Sequence, residues 1–280
     1  MALIAMCSAK GAPGVSLTAL ALTLTWSRRV ILAECDPGGG DLAAGYLREV
    51  AVGARGVAQL GASLHRGRLA EDLWEQLIDL APGPDTALTR LALPGFADPA
   101  QAAGLAPGWQ QVADLFTNLG AGPAGFDTIV DCGRLTGVNA ALPIVAAADV
   151  RILVLRPELP SIRAVAAQLA ALRQGGAGPV GLITVGHGPY RPREISIELR
   201  LPLVAALPHD PGTATALTSG VPLHRSRLLR MAIHVEGQLR DLAGERRGAP
   251  EQLMGVPPAV LAARSGVIGG AGAPEVRHGA

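Results

Sequence analysis

Ala9-Lys10-Gly11-Ala12-Pro13-Gly14-Val15-Ser16-Leu17-Thr18 lies between a strand-like apolar run, Ala2-Leu3-Ile4-Ala5-Met6-Cys7, and an apolar helical run from Leu20 to Trp26. A turn of this kind gathers unpaired backbone N–H groups at the positive end of a helix dipole, which favours an anion. Gly11 and Gly14 permit backbone conformations and a close ligand approach that a side chain would obstruct. Lys10 is the only lysine among the 24 lysine and arginine residues. The layout is that of a phosphate-binding loop, although a glycine-containing turn after a strand can also be only a turn.

Ser16 falls where the hydroxyl of such a loop meets magnesium, with Leu17 directly after it. Two positions depart from the ordinary Walker pattern: Ala9 replaces its first glycine, and Val15 replaces the lysine that reaches the outer phosphates. A valine cannot offset phosphate charge. The stretch Lys10 to Ser16 nevertheless resembles the deviant Walker A loop of the MinD/ParA group of P-loop ATPases. In that family an early signature lysine crosses a nucleotide-sandwich dimer and contacts the phosphates held by the partner subunit. The resemblance implies nucleotide contacts from Lys10, Gly11, Ala12, Pro13, Gly14, Val15, Ser16 and Leu17, with Lys10 in a catalytic role.

Two further segments extend the resemblance. Val30-Ile31-Leu32-Ala33 reads as a second strand and runs into Glu34-Cys35-Asp36-Pro37-Gly38-Gly39-Gly40-Asp41-Leu42, which is similar to the family's switch I. There Asp36 is implied as a catalytic and magnesium-positioning carboxylate, and Glu34 takes the place of an earlier aspartate. Phe126 to Arg134 resembles Walker B with its switch II turn, which implies Asp131 as a magnesium ligand through water and the Gly133 N–H facing the outer phosphate. An acid at a strand end is often only a solvated terminus or a helix cap. Three such elements in the family's order favour the functional reading.

Downstream, residues 147–158, Val180 to Val185 and Leu203 to Asp210 read as later strands with their turns. In relatives the loops after these strands surround the adenine, which implies Gly186, His187, Pro208, His209 and Asp210 near the base. The family's base-reading asparagine has no counterpart after Val185. His209 alone reads equally well as a loop histidine.

A chain of 280 residues can bury a sizeable core, and short apolar strands alternating with helical stretches point to an α/β fold. The expected form is a mostly parallel twisted sheet with helices on both faces, and the resemblance makes it a P-loop NTPase fold of the SIMIBI type. It covers roughly residues 1–240. Between switch I and Walker B, helical spacing runs from Arg68 to Leu80, Thr86 to Leu93 suits a strand, and Pro99 to Leu119 suits another helix. Trp74 and Trp109 read as packing residues. Residues 1–243 are read as one nucleotide-binding domain and 244–280 as a flexible tail rich in Gly, Pro, Ala and Arg.

That tail holds no convincing membrane-targeting helix, no transmembrane segment is expected, and no signal peptide is evident, so a cytoplasmic location is expected. Three cysteines, Cys7, Cys35 and Cys132, should meet at the carboxyl edge of the sheet and act mainly as small apolar packing groups. A net charge of +1 gives little reason to expect DNA binding. Arg225, Arg227, Arg230, Arg240, Arg246 and Arg247 read as a solvated face, although family members that partition chromosomes bind DNA nonspecifically.

The resemblance implies ATP and Mg2+ as cofactors, a nucleotide-dependent homodimer, weak ATPase activity, and a protein partner in cell division, chromosome partitioning or pilus placement. Two alternatives stand beside it: a nonhydrolytic scaffold that keeps the fold, and an ATP-dependent metabolic enzyme of the same superfamily, such as an amide ligase.

Overall fold

The computed structural model describes residues 2–11, 13–50, 52–80, 89–121, 125–220 and 226–244. Its first half runs β1 (Leu3–Ser8), α1 (Val15–Thr25), β2 (Val30–Glu34), α2 (Val57–Arg66), α3 (Leu69–Gln76), β3 (Ile78–Asp79), β4 (Arg90–Leu93), α4 (Ala102–Leu105) and α5 (Trp109–Ala121). The second half runs β5 (Asp127–Arg134), α6 (Leu142–Ala147), β6 (Val150–Leu155), α7 (Leu159–Gln174), β7 (Val180–Val185), α8 (Pro192–Leu199), β8 (Leu203–Leu207), α9 (Pro211–Thr218) and α10 (Arg227–Leu242).

The strands form one sheet in the order β3-β4-β2-β5-β1-β6-β7-β8. Only β3 pairs antiparallel; every other ladder is parallel. Parallel strands need long crossovers and are covered on both faces, so their sequences are apolar throughout. Successive side chains alternate between faces. On β1, Leu3, Ala5 and Cys7 enter one core cluster, while Ile4 and Met6 enter the other. The same alternation splits Ile31 and Ala33 from Val30 and Leu32 on β2. Two apolar layers therefore sandwich the sheet, the outcome expected from the sequence.

The central strands end at one edge. β1 stops at Ser8 beside Arg134 of β5, and Glu34 of β2 pairs in register with Asp131. Residues of the loop after β1 and carboxylates from distant segments thus emerge together at the carboxyl edge, where ligands of open α/β sheets bind.

The inserted region departs from its sequence reading in two places. The helix expected over Arg68–Leu80 ends at Gln76, because Ile78 and Asp79 extend to pair with Ala92 and Leu91 at the sheet edge. Helical spacing of Leu69, Leu73, Leu77 and Ile78 reflects burial common to both conformations and so did not mark the change. The helix expected over Pro99–Leu119 is broken into α4, short 3-10 turns and α5, with Pro107 and Gly108 at the interruption. Of the strand expected over Thr86–Leu93, residues 90–93 form β4, and 86–88 lie outside the described residues. Trp109 is buried against Phe96, and Trp74 lies half-buried against Phe126, as packing residues. Residues 245–280, the expected tail, lie outside the described residues, as do Arg225, Arg246 and Arg247.

Candidate functional site

The loop between β1 and α1 spans residues 9–14, and α1 begins directly at Val15. Gly11 and Gly14 take left-handed conformations, with φ of 73° and 96°, which explains glycine at both positions. Gly14 is the N-cap of α1 and makes no side-chain cap, so the first N–H groups of the helix face outward. Ser16 sits in this first turn, close enough to the Asp131 carboxylate to favour its charged form. Asp131 is buried and accepts from the Gly133 N–H, 2.9 Å from Oδ1. Burial raises its pKa to about 6 against the lowering effect of Ser16 and the Gly133 N–H, with Asp36 and Asp41 adding to the rise. A buried carboxylate held this way, under an open helix N-terminus, suits a divalent cation.

Asp36 lies half-buried just past β2 and accepts from the Gly38 N–H at 2.7 Å. Its carboxylate fills the space that a Cβ at Gly133 would occupy. Glu34, at the end of β2, is more deeply buried and accepts three backbone N–H groups: Asp41 at 2.8 Å, Leu42 at 3.0 Å and Gly95 at 2.8 Å. Burial raises its pKa to about 7, opposed by those hydrogen bonds and helped by Asp131. Gly40 and Gly95 press together around it, for a Cβ on Gly40 would fall 2.6 Å from the Gly95 Cα. Glu34 therefore ties the turn after β2 to the end of β4.

Ser16, Glu34, Asp36 and Gly133 line a cavity of about 560 Å3, whereas buried Asp131 is not part of its wall. Its wall includes Gly11, Pro13, Gly14, Val15, Ser16 and Leu17 from the loop and α1, with Glu34, Asp36, Asp41, Gly133 and Arg134 from the strand ends. Leu20, Leu42, Tyr46 and Leu217 supply an apolar side. Among the expected contacts, Lys10 is exposed and stands outside this wall, and Ala12 lies outside the described residues. Pro208, His209 and Asp210 also stand outside the wall. Asp210 caps α9 by accepting from the Thr213 N–H at 3.0 Å, and exposed His209 lies beside Gly186. Sequence reading missed Arg134, Asp41, Tyr46 and Leu217 as wall residues; only Arg134, adjoining Gly133, carried a local signal.

A search of family models matches none to this chain, and no curated protein matches it. Solved structures do match. The septum site-determining protein MinD complexed with Mg-ADP from Pyrococcus horikoshii is 19% identical and superposes with a TM-score of 0.67, covering 86% of this chain and 96% of that one. A ParA family ATPase from Chlorobium tepidum is 20% identical, with a TM-score of 0.64 over 83% of this chain and 96% of that one. The MinC:MinD cell division protein complex of Aquifex aeolicus gives 17% identity and a TM-score of 0.65 over 90% and 99% of the respective chains. The fold is that of the MinD/ParA ATPases. Within this MinD/ParA fold, the loop, Asp36 and Asp131 meet at one sheet edge.

Three buried thiols share the apolar layer beneath that edge. Cys7, Cys35 and Cys132 are free and belong to one core cluster. Burial pushes Cys7 up to about 12, and Cys35 and Cys132 well above the ordinary thiol range, with nearby Asp131 acting in the same direction. Thiols this protonated are poor nucleophiles, consistent with packing. Among the described residues no metal-binding group of three or more His, Cys, Asp or Glu occurs, and no helix is long and apolar enough to cross a membrane.

Proposed function

We propose that this protein is a nucleotide-dependent dimerising switch that binds ATP with Mg2+, hydrolyses it weakly, and positions a partner complex in cell division, chromosome partitioning or pilus placement, in the cytoplasm. The observation that carries the reading is the buried Asp131 carboxylate beside Ser16 of the first turn of α1, with Asp36 seated against Gly133. Ser16 and Asp131, directly or through water, would hold the cation, and Asp36 would orient water. Magnesium would supply charge neutralisation between the outer phosphates. The N–H groups of the loop and of Gly133 would bind phosphate oxygens, and the apolar wall would exclude water.

Lys10 is exposed, with no ion pair among the described residues, which suits a side chain that reaches a second copy. The Mg-ADP of the Pyrococcus horikoshii MinD and the MinC partner of the Aquifex aeolicus MinD support the choice of cofactor class and of a protein partner. One feature favours the second reading, a nonhydrolytic scaffold: Val15 is buried in the cavity wall where the ordinary lysine would stand.

ATP and ADP binding, oligomeric state and phosphate release, measured together for wild type and Lys10→Ala, test the proposal. The switch requires ATP-dependent dimerisation that Lys10→Ala abolishes. Assembly that ignores nucleotide favours the scaffold, and no nucleotide binding at all overturns the switch.

A further inference from the structure

We infer that Arg134 supplies, within the same chain, the phosphate-facing cation that Val15 cannot. The inference rests on the nucleotide-binding reading and assigns the positive charge of that site. Four carboxylates, Glu34, Asp36, Asp41 and Asp131, crowd the sheet edge. A polyphosphate entering beside them needs compensating cations, and one divalent ion leaves a surplus of negative charge. Arg134 is the one basic residue in the described cavity wall; Lys10 is not part of it.

Its backbone is held in place from both sides. Arg134 ends β5 opposite Ser8, where β1 passes into the phosphate loop, and the register shifts just before that pair. The next residue, Leu135, donates its N–H to the Ser8 carbonyl at 2.9 Å, while the Gly137 N–H donates to the Arg134 carbonyl at 3.0 Å. Arg134 thereby follows directly on Gly133, whose N–H neighbours Asp131, and shares the wall with Gly11, Gly14 and Ser16.

Its side chain is uncommitted. Arg134 is exposed and forms no ion pair or side-chain hydrogen bond among the described residues, despite the acidic surroundings. Some other arginines are engaged: Arg66 and Arg68 pair with Asp72, and Arg151 bonds backbone carbonyls. A guanidinium presents a planar fork to phosphate oxygens and is charged at every working pH. Exchanging a loop lysine for an arginine on the neighbouring strand end would keep the site's charge while changing its point of attachment.

The test is equilibrium binding of fluorescent ATP and ADP analogues with Mg2+ to wild type, Arg134→Ala, Arg134→Lys, and Arg134→Ala combined with Val15→Lys. Arg134→Ala should weaken ATP about tenfold or more and ADP less, with Arg134→Lys intermediate. The added Val15→Lys should restore most of the loss, and melting temperatures of Arg134→Ala and Arg134→Lys should stay near wild type because Arg134 is exposed. The effect should persist at protein concentrations low enough to keep the chain monomeric. Wild-type ATP affinity in Arg134→Ala overturns the inference while leaving nucleotide binding intact. A loss seen only where the protein is dimeric overturns action within one chain, and a wild type that binds neither nucleotide overturns both readings.

Discussion

The Asp36 carboxylate and the α-carbon of Gly133 are so close that no side chain fits between them. Residues almost a hundred positions apart in sequence thus hold each other: the turn after β2 rests its acid on the last residues of β5. Gly133 also has φ of 61°, in the left-handed region. Glycine is required here by contact and by conformation together.

Gly133→Ala should therefore displace Asp36 and cost about 1–3 kcal/mol. We expect a lower melting temperature together with weaker Mg2+ dependence of nucleotide binding. Thermal melts and magnesium titrations check both, and unchanged magnesium dependence would count against a role for Asp36 near the cation.

Glu34 and Asp131 set a pH dependence. Burial raises both pKa values, to about 7 and about 6, so the folded chain holds protons that the unfolded chain releases. Their contribution is most favourable at acid pH, declines as pH rises through the range from about 4 to about 7, and is flat above that. Replacing Glu34 by Gln removes one of the two groups. Compared with wild type, Glu34→Gln should gain relative stability as pH rises from about 4.5 to about 7, although its amide faces the Gly95 N–H and costs stability at every pH. Urea melts at several pH values read the slope; parallel curves for the two proteins would refute the assignment.

Arg151 is a structural cation. Buried on β6, it donates to the carbonyls of Leu172, Gly176 and Gly178, so it satisfies an orphan carbonyl of the last turn of α7 and the loop leading into β7. Arg151→Leu should strand these acceptors and lower stability by about 2–4 kcal/mol, while leaving nucleotide affinity of the folded protein unchanged. Calorimetry and binding of the same preparation separate the two effects.

Much of this arrangement was legible beforehand. Val180–Val185 is both the apolar run in the sequence and the strand in the structure, because a buried parallel strand is apolar on both faces and ends where polar residues begin. The strand, turn and helix around residues 3–25 were equally legible, since they are contiguous in the chain, and so was the position of Asp36 just past β2. Helix α2 (Val57–Arg66) was not singled out; its buried face is only Val57, Leu60 and Ser63. The run of glycines at 38–40 drew notice as a motif, whereas its physical role became visible only with Gly95 pressed against Gly40 around Glu34.

The amino-acid order alone determined the sheet class, the succession of the parallel strands and the turns between them, because periodicity and turn residues act over a few positions. Tertiary structure decided which side chains share the cavity. It brought Tyr46 and Leu217 to one wall, set Arg134 inside and Lys10 outside, and placed Pro208, His209 and Asp210 apart from it. Those outcomes depend on strand order and crossover packing, which join segments that no local pattern connects.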